Sequence, residues 1–151
     1  MKEVIVQFDL AGLISIGCGC GLFEWLFQKY SDLDVIGIEV DRSWWCSKYS
    51  PHLFLENMIF VSANNKSNYS LPAKYALLFC YFNNASAFCE YIENYEGNLV
   101  FVIGPKSDQH RWTDPMPLDV KFNDCNWKLI NKKEMERTSD YIAVYRRMAK
   151  Q

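Results

Sequence analysis

Short apolar runs alternate along this chain with stretches whose apolar residues recur at helical spacing. Leu13-Ile14-Ser15-Ile16 is the first firm run and predicts a buried strand. It enters a turn, Gly17-Cys18-Gly19-Cys20-Gly21, and a helical pattern with Leu22, Phe23, Trp25, Leu26 and Phe27 then runs to about Tyr30. Val35-Ile36-Gly37-Ile38-Glu39-Val40 is apolar at both alternating sets of positions, as a strand covered on both faces would be. Asp41 or Ser43 can cap a short helix through Trp44, Trp45 and Tyr49, which Pro51 stops. Met58-Ile59-Phe60-Val61 predicts a third strand, and a polar loop follows to Pro72. Tyr75 to Tyr81 predicts a fourth. Asn83 or Asn84 then caps a helix with Ala85, Phe88, Ile92 and Tyr95 on one face, ended by Gly97. Asn98 to Ile103 predicts a fifth strand, closed by Gly104-Pro105. Lys106 to Asp124 is polar, contains Pro115 and Pro117, and reads as an irregular loop. Trp127 to Ile130 and Tyr141 to Tyr145 have no helix-length pattern between them, so they predict an antiparallel pair. Val4 to Phe8 fits either a strand or a truncated N-terminal element. Elements alternating in this order predict an α/β fold with a mostly parallel sheet.

Composition narrows the class. The 151 residues suit a single domain spanning 1–151, and 50% hydrophobic and 16% aromatic residues are enough to fill its core. No apolar run approaches the ~20 residues that span a bilayer. The apolar part of Met1 to Gln7 is too short for a secretory signal, so a cytoplasmic protein is expected, with a nuclear location as the other option. Of the six cysteines, at 18, 20, 46, 80, 89 and 125, several fall within apolar strand or helix patterns, as reduced buried thiols do. Cys18-x-Cys20 lacks a second matching pair and His52 and His110 are not at ligand spacing, so no metal is expected. The net charge of −2 is not the footprint of a dedicated nucleic-acid binder. The last segment is locally basic, with Lys128, Lys132, Lys133, Arg137, Arg146, Arg147 and Lys150, which leaves an acidic partner or a docked RNA open.

The candidate chemistry lies in the glycine turn. Glycines let the backbone take positive φ and let a ligand approach without a Cβ in the way. A helix starting there aims its free N–H groups and positive dipole end at that ligand. A dinucleotide fingerprint needs G-x-G-x-x-G, whereas this turn reads G-x-G-x-G and continues with Leu22. Together with the strand before it, the turn resembles motif I of the class I S-adenosylmethionine-dependent methyltransferases. The order of elements resembles that family from about Gly12 to Arg147.

The resemblance implies a Rossmann-like methyltransferase fold, with a terminal antiparallel hairpin and helices on both faces. With at most a dozen residues before the first strand, it also implies a minimal form lacking N-terminal lid helices, whose open cofactor face a protein partner could cover. The implied cofactor is S-adenosylmethionine, held by Gly17, Cys18, Gly19, Cys20 and Gly21 and by Cys80. Glu39, ending the second strand, takes the family's place for binding the ribose hydroxyls, a role suited to a carboxylate that accepts two hydrogen bonds. Val40 would lie against the adenine and Asn64 at its edge. Asp41 rivals Glu39 for the ribose, with a helix cap as its preferred role. Two positions depart from the family pattern: Ser15 and Ala76 stand where many members have acids. Cys80-Tyr81-Phe82-Asn83-Asn84 occupies the catalytic place but lacks the prolines of the amino-methylating members. Tyr81 and Asn83 are the candidates there, and His110, Arg111 and Trp112 could reach over the pocket. Trp25, Trp44 and Trp45 are expected to pack, and Phe79, Phe82, Phe88 and Phe101 to be core. The expected activity is methyl transfer to an unassigned acceptor: protein, RNA or small molecule. The alternatives are a catalytically inactive methyltransferase-like interaction module and, more remotely, a dinucleotide enzyme.

Overall fold

The computed structural model describes residues 1–62, 69–106 and 110–149. Along the chain it forms α1 (Lys2–Gln7), β1 (Gly12–Ile16), α2 (Leu22–Ser31), β2 (Asp34–Val40), α3 (Arg42–Trp45), β3 (Met58–Val61), β4 (Tyr75–Cys80), α4 (Ala85–Glu93), β5 (Leu99–Pro105), β6 (Trp127–Met135) and β7 (Asp140–Arg147). The strands make one sheet in the order β3-β2-β1-β4-β5-β7-β6. β1 to β5 pair in parallel, and β7 runs antiparallel to both β5 and β6. β1 lies between β2 and β4, so the chain reverses its direction of travel across the sheet there. A crevice opens at such a switch point, beyond the carboxyl ends of the strands.

Period-two alternation divides the core between the two faces. Ile14, Ile16, Leu77, Phe79, Val100 and Val102 pack on one side against Phe88, Tyr91 and Ile92 of α4. Leu13, Val35, Ala76, Leu78, Phe101 and Ile103 pack on the other, where Ile5 of α1 is fully buried and Phe27 of α2 lies against them. Helices therefore cover both faces. Among the described residues no helix is long and apolar enough to cross a membrane.

Four details differ from the pattern-based expectations or resolve them. Val4 to Phe8 falls largely in helix α1, anchored by Ile5. The fourth strand stops at Cys80, because Tyr81 turns to φ 51° and leaves the extended region. The short third helix ends at Trp45, giving way to turns before Pro51. β6 continues past Ile130 to Met135: it is the sheet edge, exposed along all but its first residue, so its polar residues need no apolar alternation.

Helix α2 is inverted relative to its composition. Its inward stripe is Glu24, Phe27, Gln28 and Ser31, spaced i, i+3, i+4, i+7, and two of these, Glu24 and Ser31, are buried. Leu22, Phe23, Leu26 and Tyr30 face outward and are exposed.

Candidate functional site

All three glycines of the turn sit in the left-handed region, at φ 68° for Gly17, 60° for Gly19 and 71° for Gly21. Their surroundings differ. A Cβ on Gly21 would come within 2.6 Å of Leu55 Cβ, and one on Gly17 within 3.0 Å of the Phe82 ring. A Cβ on Gly19 would meet nothing nearer than the Trp45 ring at 3.6 Å. Gly17 and Gly21 are thus packed into the protein, whereas Gly19 faces the crevice. Backbone bonds fix the turn: Gly17 N–H donates to Ile38 O (2.8 Å), Gly21 N–H to Cys18 O (3.0 Å) and Phe54 N–H to Cys20 O (2.9 Å). The Cys18 thiol turns back toward Gly37, where burial first, then the nearby Glu24 and Glu39 charges, raises its pKa well above the ordinary thiol value.

Glu39 ends β2 directly beside this turn and is 9% exposed. Its Oε2 accepts the Gly19 N–H at 2.8 Å and its Oε1 accepts the Val40 N–H at 2.7 Å. A carboxylate has about four acceptor sites, so both oxygens keep capacity for a ligand's hydroxyls. Val40 is half exposed and opens a groove of ≈ 580 Å³ shared with Arg42, Phe60 and Ser62. Asp41 is used locally: it caps α3, accepting from the Ser43 hydroxyl (2.6 Å) and the Trp44 N–H (3.2 Å), and these bonds lower its pKa. Trp44 is exposed, so its expected packing role does not hold; it sits on the outer side of a single helical turn. Trp45 lies over Gly19. Asn64 falls outside the described residues.

A second carboxylate lies beneath the turn. Glu24 is the third residue of α2 and only 2% exposed. Ser15 Oγ donates to its Oε1 at 2.6 Å. Burial raises the Glu24 pKa, opposed by the bonds from Ser15 and from its own backbone N–H. The Ser15 position, without an acid in the sequence, thus faces a carboxylate delivered by the helix. Ala76 is fully buried in the sheet. Cys80, at the end of β4, feels the same Glu24 charge, and with burial as the larger cause its thiol is pushed up to about 12.

Beyond Cys80, Tyr81 is half exposed and its left-handed backbone is a costly state for a bulky residue. Its hydroxyl bonds Asp140, the first residue of β7, and burial together with that bond raises the phenol. Burial works to raise the Asp140 carboxyl, but the bonds from Tyr81 and Thr138 and the Arg111 charge outweigh it and hold it below the ordinary value. Arg111 Nη1 lies 3.0 Å from Asp140 Oδ1, and Nη2 donates to Thr138 O at 2.7 Å. Arg111 is therefore brought to the Tyr81 end of the crevice, and Trp112 beside it is exposed. Asn83 bridges to Asp114 through the backbone, while Asn84 takes the helix cap, accepting from the Ala87 N–H at 3.0 Å. His52 stacks edge-on against Phe54. Among the described residues no group of His, Cys, Asp and Glu side chains converges as a metal site would.

Sequence reasoning missed Glu24 and Asp140. Glu24 is hidden in a run of apolar residues, where no local pattern singles it out. Asp140 is remote in sequence from Tyr81, and only strand pairing brings them together.

No protein-family model matches the chain, and no curated protein matches it. Solved structures match it in fold. The methyltransferase domain of bacterial CtHen1-C aligns over 98% of this chain and 95% of its own, with TM-score 0.56 and 14% identity. A SAM dependent methyltransferase from Aquifex aeolicus aligns over 97% of this chain and 89% of its own, with TM-score 0.55 and 14% identity. An RNA methyltransferase from Salinibacter ruber, solved with S-adenosyl-L-homocysteine, aligns over 99% of this chain and 92% of its own, with TM-score 0.53 and 10% identity. The parallel sheet with its terminal antiparallel pair, the helices on both faces and these alignments together give the chain the Rossmann-like fold of the class I S-adenosylmethionine-dependent methyltransferases.

Proposed function

We propose that the chain binds S-adenosylmethionine in the crevice between the glycine turn and Glu39, and transfers its methyl group to an acceptor presented at Tyr81. The observation that carries this reading is the Glu39 carboxylate, tied to the Gly19 N–H at 2.8 Å beside a glycine with no side chain in the way. An acid so held has its free lone pairs pre-aimed, and two vicinal hydroxyls of a ribose match them. The groove along Val40, Phe60 and Ser62 continues from Glu39 and suits a flat base, with Val40 against one face. Gly17, Cys18, Gly19, Cys20 and Gly21 form the cradle for the remainder of the ligand, and Cys80 closes it from β4.

The cofactor, when bound, supplies a methyl group on a positively charged sulfur. The chain's part is to hold the acceptor in line with that methyl, which is where most of the rate enhancement for such a transfer arises. Tyr81 and Asn83 follow directly on the end of β4 and are the residues that would touch the acceptor. Asp140 and Arg111 position Tyr81 from behind.

Isothermal titration calorimetry with S-adenosylmethionine and S-adenosylhomocysteine tests the reading. Micromolar binding that Gly19→Val or Glu39→Ala abolishes supports it. Absence of binding at millimolar ligand overturns it, and a thermal shift with NADH instead would move the crevice to dinucleotide chemistry.

A further inference from the structure

We infer that the outward face of α2, with the groove between it and the β7–β6 end of the sheet, docks an acidic amphipathic helix of a partner protein. Helix α2 turns its more apolar side to solvent. Leu22, Leu26 and Tyr30 recur at i, i+4 and i+8 with Phe23 beside them, and all four are exposed, Leu26 at 53% and Tyr30 at 80%. The inward stripe instead carries Glu24, Gln28 and Ser31. A surface helix ordinarily buries its apolar stripe and wets its polar one. Contiguous apolar surface left exposed on a small domain marks a contact site.

The apolar stripe runs into a concavity. Phe23, Phe27 and Tyr30 of α2 and Ile142 and Val144 of β7 line a groove of ≈ 570 Å³. Across the β6–β7 ladder Lys133 pairs with Ile142, and residues directly opposite in an antiparallel pair share a face. Ile142 belongs to the side of the sheet that α1 and α2 cover, so Lys133 stands at the rim of their groove. The charges lining it are those of Lys2, Lys132 and Lys133 against Glu3 alone, and Lys29 is exposed on α2 itself. Lys2 lies over the Tyr30 ring, 5.8 Å from its centroid. Among the described residues none of these four lysines is ion-paired with a carboxylate. The surface is therefore complementary to apolar side chains flanked by Asp or Glu.

Shape and charge select the occupant. From Leu22 to Tyr30 the stripe is about 12 Å long, roughly two turns of a helix. Its i, i+4 ridge is the kind that a second helix packs against. An added strand fits less well, because adjacent lysines such as Lys132 and Lys133 are a common means of keeping a sheet edge from pairing. Two copies of this chain meeting groove to groove would set those lysines against an equally basic rim. A nucleic acid supplies negative charge but no aliphatic side chains to fill the concavity, and a membrane surface is flat where this one is hollow.

Fluorescence anisotropy with two labelled helical peptides tests this on the full chain. Both carry leucines on one face; one has glutamates and the other lysines on the remaining positions. The glutamate peptide should bind with micromolar affinity, at least about tenfold tighter than the lysine peptide. Leu26→Glu should weaken it by about tenfold or more, as loss of a central apolar anchor does. Lys132→Glu with Lys133→Glu should reverse the preference between the two peptides, and serves if the Leu26 variant does not fold. All three positions are exposed and lie outside the Glu39 crevice, so the urea midpoint and the response to S-adenosylhomocysteine should match wild type in each variant. Absence of binding, equal affinity for the two peptides, or affinities unmoved by these substitutions would overturn the inference while leaving the cofactor reading intact. So would binding to phosphatidylserine vesicles or to oligouridylate that the same substitutions abolish, if the glutamate peptide does not bind.

Discussion

Gly19→Ala and Gly21→Ala make the same chemical change two residues apart, on backbones of nearly equal φ, 60° and 71°. Their expected costs differ because their surroundings differ. Left-handed backbone costs an L-residue about 1–2 kcal/mol. Alanine also restricts the unfolded chain, which offsets about 0.4–1 kcal/mol. At Gly19 the new methyl meets only the Trp45 ring, at ordinary contact distance of 3.6 Å. The net loss there is about 1 kcal/mol. At Gly21 the methyl would stand 2.6 Å from Leu55 Cβ and 3.2 Å from Leu55 N, and backbone cannot step aside as a side-chain tip can. Such overpacking adds roughly 1–3 kcal/mol, so Gly21→Ala should lose about 2–4 kcal/mol in all. Urea unfolding followed by tryptophan fluorescence measures both. Ligand affinity should show the reverse ranking: Gly19→Ala, stable but with a methyl over the crevice, should lose at least about tenfold in S-adenosylhomocysteine binding. Stabilities within about 0.5 kcal/mol of each other would refute the assignment of Gly21 to packing and Gly19 to the ligand.

Three further expectations follow from local geometry. At pH 8 a thiol-specific reagent should label the exposed Cys46 and Cys125 within minutes, whereas Cys80, pushed up to about 12, and Cys18 should label only on unfolding, as peptide mass spectrometry would show. Removing the α4 cap with Asn84→Ala should cost about 1 kcal/mol in urea unfolding without moving ligand affinity. Asp140 is held below its ordinary 3.8, so its contribution to stability is present above that value and disappears as pH falls through its folded pKa; the stability gap between wild type and Asp140→Asn should therefore narrow between pH 5 and about pH 3.

The parts of the fold legible in sequence are those where one pattern determines one answer. β1, β2, β4 and β5 are covered on both faces, so their nearly unbroken apolar runs announce them, and the turn at Gly17 to Gly21 could be read because only glycine serves at three positive φ values in alternation. Glu39 was legible through its place at a strand end. β6 beyond Ile130 was not, since an edge strand buries almost nothing and leaves no hydrophobic trace. Nor was the orientation of α2. Leu22, Phe23, Trp25, Leu26 and Phe27 spread around its circumference, so periodicity could not say which side faced the sheet. The seat of Glu24 beside Ser15, and of Asp140 beside Tyr81, depends on tertiary pairing between residues that no local pattern links.

The central claim concerns where the ligand sits, and a two-dimensional ¹⁵N–¹H titration with S-adenosylhomocysteine tests it most directly. The account predicts saturable shifts concentrated at the amides of Gly17 to Glu24 and of Glu39 to Ser43, with the Gly19 amide, now bonded to Glu39, among the largest. Shifts confined to other surfaces, or none at millimolar ligand, would contradict it.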